Sequence, residues 1–147
     1  MKVLFDTSAL IPALVQSLAG HSAALQWLEK AQRKEIQGFV SAHTLAELYG
    51  GLTGFGKKRP VDVRRVIEVE IRAYLEVVAL DAEEYACMLD DAARLNVKGA
   101  TVHDAVHAYA ARKVGADQIL TGNIRHFALV CPTPPPVILD VFGLGTP

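Results

Sequence analysis

Net charge, cysteine and long apolar runs are all scarce in this chain, and each scarcity narrows its function. The 147 residues carry 15 basic and 16 acidic side chains, a near balance that argues against coating nucleic acid by bulk electrostatics and leaves room only for a local basic patch. The two cysteines, Cys87 and Cys131, lie far apart without a CxxC or Cys/His ligand spacing, which points to a reduced, cytoplasmic protein. No uninterrupted apolar stretch is long enough to span a bilayer, so no membrane association is expected. Asp6 and Pro12 break the apolar N-terminus, which therefore does not read as a signal peptide. The 51% hydrophobic content suffices for a substantial core in a single domain over residues 1–147.

Apolar runs alternate with helical patterns, the signature of an α/β domain with a mainly parallel central sheet. Strands are predicted at Lys2 to Phe5, Gly38 to Ser41, Glu76 to Leu80, Gln118 to Leu120 and Val137 to Leu139. Helices are predicted at Ser8 to Leu18, His21 to Lys34, Ala42 to Leu52, Val61 to Tyr74, Ala82 to Leu95 and Val102 to Val114. Asp81 and Glu84 have the spacing of an N-cap and its reciprocal partner, with Tyr85, Met88, Leu89 and Ala92 on one face as a core stripe. GFGKKRP, from Gly54 to Pro60, reads as a basic loop, and Pro132 to Pro136 as a stiff connection before the last strand.

Three acids stand where a carboxylate needs a reason. Asp6 ends the run Val3-Leu4-Phe5 and opens DTSAL, at the carboxyl end of a first strand where open parallel sheets bind ligands; it also suits a helix N-cap. Thr7 and Ser8 add hydroxyls able to orient that carboxylate or to cap the helix. Glu47, in HTLAELYGG, falls opposite the apolar face of Leu45, Leu48, Tyr49 and Leu52, beside His43, Gly50 and Gly51. It is a solvated glutamate, the end of a Thr44–Glu47 capping box, or a site residue in the groove that the glycines leave. Asp104, in TVHDAVHAYAA, shares a face with Ala108 and Ala111, where a carboxylate is costly unless paired or metal-bound; the alternative is a cap with Thr101. Carboxylates gathered by folding repel one another, and a hard cation such as Mg2+ or Mn2+ relieves this.

His103 and His107 imitate the two-histidine zinc helix, but an aspartate replaces the longer general base and no third ligand is marked. A zinc hydrolase is rejected in favour of histidines that support the site or touch substrate. Lys57, Lys58 and Arg59, followed by Arg64 and Arg65, form the one dense basic cluster, either solvated surface or a phosphate-binding rim.

Taken in order, DTSAL, SAHTLAEL, TVHDAVHAYAA and GADQILTGNIRHF resemble the PIN-domain family of metal-dependent ribonucleases, most closely its VapC-type toxins of bacterial toxin–antitoxin pairs. The resemblance covers essentially the whole chain. It implies a three-layer α/β/α sandwich with Asp6, Glu47 and Asp104 as catalytic, metal-binding carboxylates for Mg2+ or Mn2+. It places Thr7, Thr121 and Asn123 in support at the edge of the site. Asn123 departs from the many members with a fourth acid there, which weakens the case for a second tightly bound ion. The implied activity is cleavage of RNA to a 5′-phosphate and a 3′-hydroxyl, with Lys57, Lys58 and Arg59 on the RNA backbone. The implied partners are a VapB-type antitoxin and a second copy in a homodimer. The contending function is a catalytically weak PIN-like module that binds RNA or protein. A phosphohydrolase using Asp6 as nucleophile is disfavoured, because Ser8 stands where haloacid-dehalogenase-like enzymes need a second aspartate.

Overall fold

Val3, Leu4 and Phe5 have no polar side to show water, and the strand they form, β1 (Lys2–Phe5), is buried on both faces at the centre of a sheet. In the computed structural model, which describes residues 1–131 and 136–143, the other strands are β2 (Gln37–Ser41), β3 (Glu76–Val78), β4 (Gln118–Thr121) and β5 (Val137–Asp140). All pair in parallel in the order β3-β2-β1-β4-β5, with Leu4 opposite Phe39 on one side and Ile119 on the other. The helices are α1 (Thr7–Leu14), α2 (His21–Gln32), α3 (Ala42–Thr53), α4 (Pro60–Val66), α5 (Ala82–Arg94), α6 (Thr101–Val114) and α7 (Ile124–Val130). No helix among the described residues is long and apolar enough to cross a membrane.

The alternation of side chains along each strand divides the core in two. Val3, Phe5, Val40 and Leu120 face α1 to α4, whereas Leu4, Phe39, Val78 and Ile119 face α5 to α7, producing the expected three layers. Close approach needs small residues on both sides. A Cβ on Gly38 of β2 would lie 2.4 Å from a Leu75 methyl and 3.2 Å from Ala31, while α6 meets the sheet through Ala105, Ala108, Ala110 and Ala111. Gly115 ends α6 in the left-handed conformation, φ 62°, that a side chain disfavours.

The predicted elements survive with altered ends. Helix α1 stops at Leu14 rather than Leu18, with Pro12 inside it and the extended Val15 as its C-cap. The helix predicted through Tyr74 changes at Ile67 into a π-helical segment, Ile67–Arg72. Ile67 and Ile71 are the buried positions of that segment, in line with Val63 before it and Leu75 after it. The capping box of Asp81 and Glu84 forms, yet only Met88 and Ala92 of the expected stripe are buried; Tyr85 and Leu89 are 37% and 53% exposed. Helix α7 was not predicted; its N-cap Asn123 makes no side-chain capping bond, and it is too short to show periodicity. Pro132 to Pro135 of the proline-rich connection lie outside the described residues.

From β1 the chain leaves through α1 and α2 toward β2, and from its neighbour β4 it leaves the opposite way through α7 to β5. Such a divergence opens a crevice at the carboxyl ends of the two strands, and Asp6 and Thr121 occupy those ends.

Candidate metal centre

Asp6 is only 2% exposed and both caps α1 and faces the crevice. Its Oδ1 accepts the Thr7 N–H at 2.8 Å, and its Oδ2 accepts the Ser8 hydroxyl at 2.5 Å and the Thr121 hydroxyl at 2.8 Å. One carboxylate thus caps the helix and faces the crevice. Thr121 is held in turn by the Asn123 backbone N–H at 2.9 Å, and Ser8 by that of Gly122 at 2.8 Å, so β4 and the start of α7 fix its direction.

Glu47 reaches the same crevice from α3. The cap of that helix is Ser41, whose Oγ accepts the Thr44 N–H, so the Thr44–Glu47 capping box is not formed. Glu47 Oε2 instead accepts the Thr7 hydroxyl and lies 2.9 Å from His107 Nε2. Burial pushes the Glu47 carboxyl up, but the His107 and Thr7 hydrogen bonds and the His107 charge outweigh it and hold the group at about 2.

Asp104 lies in the first turn of α6, 7% exposed, and makes no cap; its Oδ2 is 2.9 Å from His126 Nδ1. Burial, followed by the nearby Asp6 charge, pushes its carboxyl above the usual range despite His126. One turn on, His107 is 1% exposed. Its Nδ1 is 2.8 Å from Ser41 Oγ, and its Nε2 is 3.5 Å from Asp6 Oδ1 in addition to the Glu47 contact. Burial lowers the His107 pKa, but Glu47, Asp6 and Asp104 together raise it above the ordinary value. The carboxylates around His107 thus favour its protonated form, whose single charge offsets only part of theirs.

Asp6, Glu47 and His107 bring donor atoms within 4.8 Å of one another. The buried carboxylates of Asp6 and Asp104, beside half-buried Glu47, fit a divalent cation bound largely by oxygen. The paired imidazoles of the zinc-helix pattern do not converge: His107 turns into the crevice, while exposed His103 turns to His43 of α3, 2.8 Å away. Asn123 is exposed, and no hydrogen bond joins its side chain to the carboxylates among the described residues. Beside it, Arg125, His126 and Asp140 help line a depression of about 460 Å3. Lys57, Lys58 and Arg59 are exposed beyond the far end of α3, about 10 Å along its axis from Glu47, and Arg59 is engaged with Asp62 at 2.6 Å.

A profile of the PIN domain matches residues 3–131. The chain belongs to the PIN-domain family. This PIN domain is 30% identical over 126 residues to Ribonuclease VapC40 of Mycobacterium tuberculosis, covering 82% of this chain and 85% of the relative. Its fold is similar to that of DNA-bound VapBC from Salmonella typhimurium, with TM-score 0.66, 22% identity and 96% and 98% of the two chains covered. It is also similar to VapC20 of M. tuberculosis, a toxin that cleaves the sarcin-ricin loop, with TM-score 0.64, 19% identity and 80% and 86% coverage.

Two residues of this PIN domain are more central than its sequence suggests. His107 bridges Asp6 and Glu47, and the only local sign is its place one turn after Asp104. His126 supports Asp104 from α7, the helix that the sequence did not disclose.

Proposed function

We propose that this PIN domain is a cytoplasmic, Mg2+- or Mn2+-dependent endoribonuclease that acts as the toxin of a type II toxin–antitoxin pair. The observation that carries the reading is the convergence of Asp6, Glu47 and His107 within 4.8 Å at the crevice where the strand connections diverge, with buried Asp104 near enough to feel the Asp6 charge. The identity to a ribonuclease supports RNA as the substrate.

The three carboxylates would hold the ion. When bound, it supplies polarisation of the scissile phosphate and a lowered pKa for an attacking water. Ser8 and Thr121 orient Oδ2 of Asp6 and the Thr7 N–H its Oδ1, the Thr7 hydroxyl orients Glu47, and His126 fixes Asp104. His107 limits the repulsion among these acids before the cation enters. Attack of water on phosphorus with departure of the 3′ oxygen yields a 5′-phosphate and a 3′-hydroxyl, and no protein nucleophile is required. Lys57, Lys58 and Arg59 engage the RNA backbone away from the cut, and exposed Asn123 meets the strand beside it. A VapB-type antitoxin, as in the VapBC neighbours, suits the exposed apolar side chains Tyr49, Phe55 and Val61 on and after α3, and the toxin itself pairs as a homodimer.

The competing reading, a PIN-like module that binds RNA or protein without cutting, draws on the neutral Asn123 where many relatives carry an acid. Cleavage by purified protein that is lost on chelation, restored by Mn2+ and missing from Asp6→Asn supports the nuclease. Binding without cleavage under every metal condition supports the module.

A further inference from the structure

The first turn of α3 and the first turn of α6 carry His43 and His103, which lie at the outer rim of the crevice and take no part in orienting Asp6 or Asp104. Their rings are nearly parallel, 11° apart with centroids separated by 4.8 Å, and His43 Nε2 faces His103 Nδ1 at 2.8 Å. The remaining oxygen of Glu47, Oε1, is 3.7 Å from the same His43 nitrogen. All three donor atoms fall within 4.8 Å of one another.

We propose that His43, His103 and Glu47 Oε1 form a second metal site that takes Zn2+ and thereby restrains the carboxylate centre. Tetrahedral Zn2+ bonded at about 2.0–2.2 Å to nitrogen and oxygen holds its donors about 3.3–3.5 Å apart. His43 Nε2 and Glu47 Oε1, at 3.7 Å, lie near that spacing, and the hydrogen-bonded imidazole nitrogens, at 2.8 Å, part by about half an ångström to admit the ion. The rest of the adjustment falls on His103, whose exposure leaves its ring free to turn. Two imidazoles and one carboxylate favour a borderline ion such as Zn2+ over Mg2+, whereas the pocket around Asp6 and Asp104 offers mainly oxygen. The two sites meet at Glu47: Oε2 belongs to Thr7 and His107, and Oε1 turns to His43. Zn2+ on Oε1 draws Glu47 toward the rim, and hydrolysis supported by Mg2+ or Mn2+ falls. This regulatory part rests on the proposed nuclease function; the binding part does not.

Metal-stripped full-length protein titrated with Co2+, a spectroscopic stand-in for Zn2+, tests the site through its visible ligand-field absorption. Wild type is expected to bind one equivalent with nitrogen ligation, displaced by Zn2+, and Asp104→Asn to do the same. His103→Ala is expected to bind at least about 10–100-fold more weakly, the loss typical of even a supporting contact. Equal Co2+ affinity in wild type and His103→Ala, no ligand-field spectrum in wild type, or loss of the spectrum in Asp104→Asn would each overturn the site; the first two reduce the histidine pair to an interhelical hydrogen bond. His43→Ala repeats the test from α3. In a second arm, Zn2+ inhibition is measured relative to each variant's own Mn2+-supported cleavage. Inhibition of wild type at Zn2+ concentrations that spare His103→Ala supports the restraint, and equal inhibition removes it. Co2+ binding as described, in a wild type that cleaves RNA with no metal, would defeat the nuclease reading and leave the binding site standing.

Discussion

His107 Nε2 lies 2.9 Å from Glu47 Oε2, and this contact helps tie α6 to α3 across the crevice while Asp6 stands 3.5 Å from the same nitrogen. An ion pair so enclosed is valued differently at different pH. A carboxyl held below its unfolded value stabilises the fold above that value and loses the contribution as pH falls through the folded one. For Glu47 in metal-free protein the window runs from the ordinary 4.5 down to about 2. His107→Gln keeps a donor but removes the charge, so its acid-unfolding midpoint in the presence of chelator is expected to rise by roughly half a pH unit or more. Circular dichroism across an acid titration reads this, and coincident midpoints would deny the pair its role.

Asp104→Asn separates stability from activity. The burial and Asp6 repulsion that raise the Asp104 pKa make its ionised form unfavourable at neutral pH, and the amide removes that burden. The melting temperature of the metal-free variant is expected to hold or rise, by about 2–4 °C for about 1 kcal/mol relieved. Cleavage is expected to fall on the order of 10²-fold or more. A melting temperature that drops as far as that of Asp6→Asn, which loses the charge that three donors address, would show that Asp104 is structural.

The basic loop is testable by salt. Arg59 is occupied by Asp62, so Lys57 and Lys58 are expected to supply most of its phosphate contacts. The double variant Lys57→Ala/Lys58→Ala should reduce the slope of log affinity for single-stranded RNA against log salt by about 1.4, or about 0.7 per released counterion. An unchanged slope, measured by fluorescence anisotropy with catalytically inactive protein, would place the loop off the RNA path.

Exposed Asn123 calls for a modest effect. Asn123→Asp is expected to tighten Mn2+ binding by less than about tenfold, because charges separated by solvent interact weakly. Calorimetric titration checks it, and a larger gain would mean that the side chain turns into the crevice when metal binds.

Much of this arrangement is legible in the chain because local chemistry and tertiary role agree. Asp6 reads both as a cap and as a strand-end carboxylate, and it caps α1 while facing the crevice; Asp81 and Glu84 form the box that their spacing announces. Glu47 was harder, since a glutamate opposite an apolar face looks solvated until a partner from another helix arrives. That partner, His107, lies 60 positions away, and its direction depends on how an alanine-rich helix rotates against the sheet. Helix α7 and the π-helical segment are not legible for related reasons: one is too short for periodicity, and in the other Ile67 and Ile71 stand four apart, a spacing that an ordinary α-helix shares.

The most direct measurement is the sequencing of RNA ends after controlled expression of wild type beside Asp6→Asn, with the wild-type reaction repeated in vitro with Mn2+ and with chelator. New 5′-phosphate ends at defined positions in wild type, absent from Asp6→Asn and from the chelated reaction, are expected. Identical end maps in the two proteins, or wild-type cleavage that persists in thoroughly metal-free buffer, would contradict a carboxylate-held cation as the source of the activity.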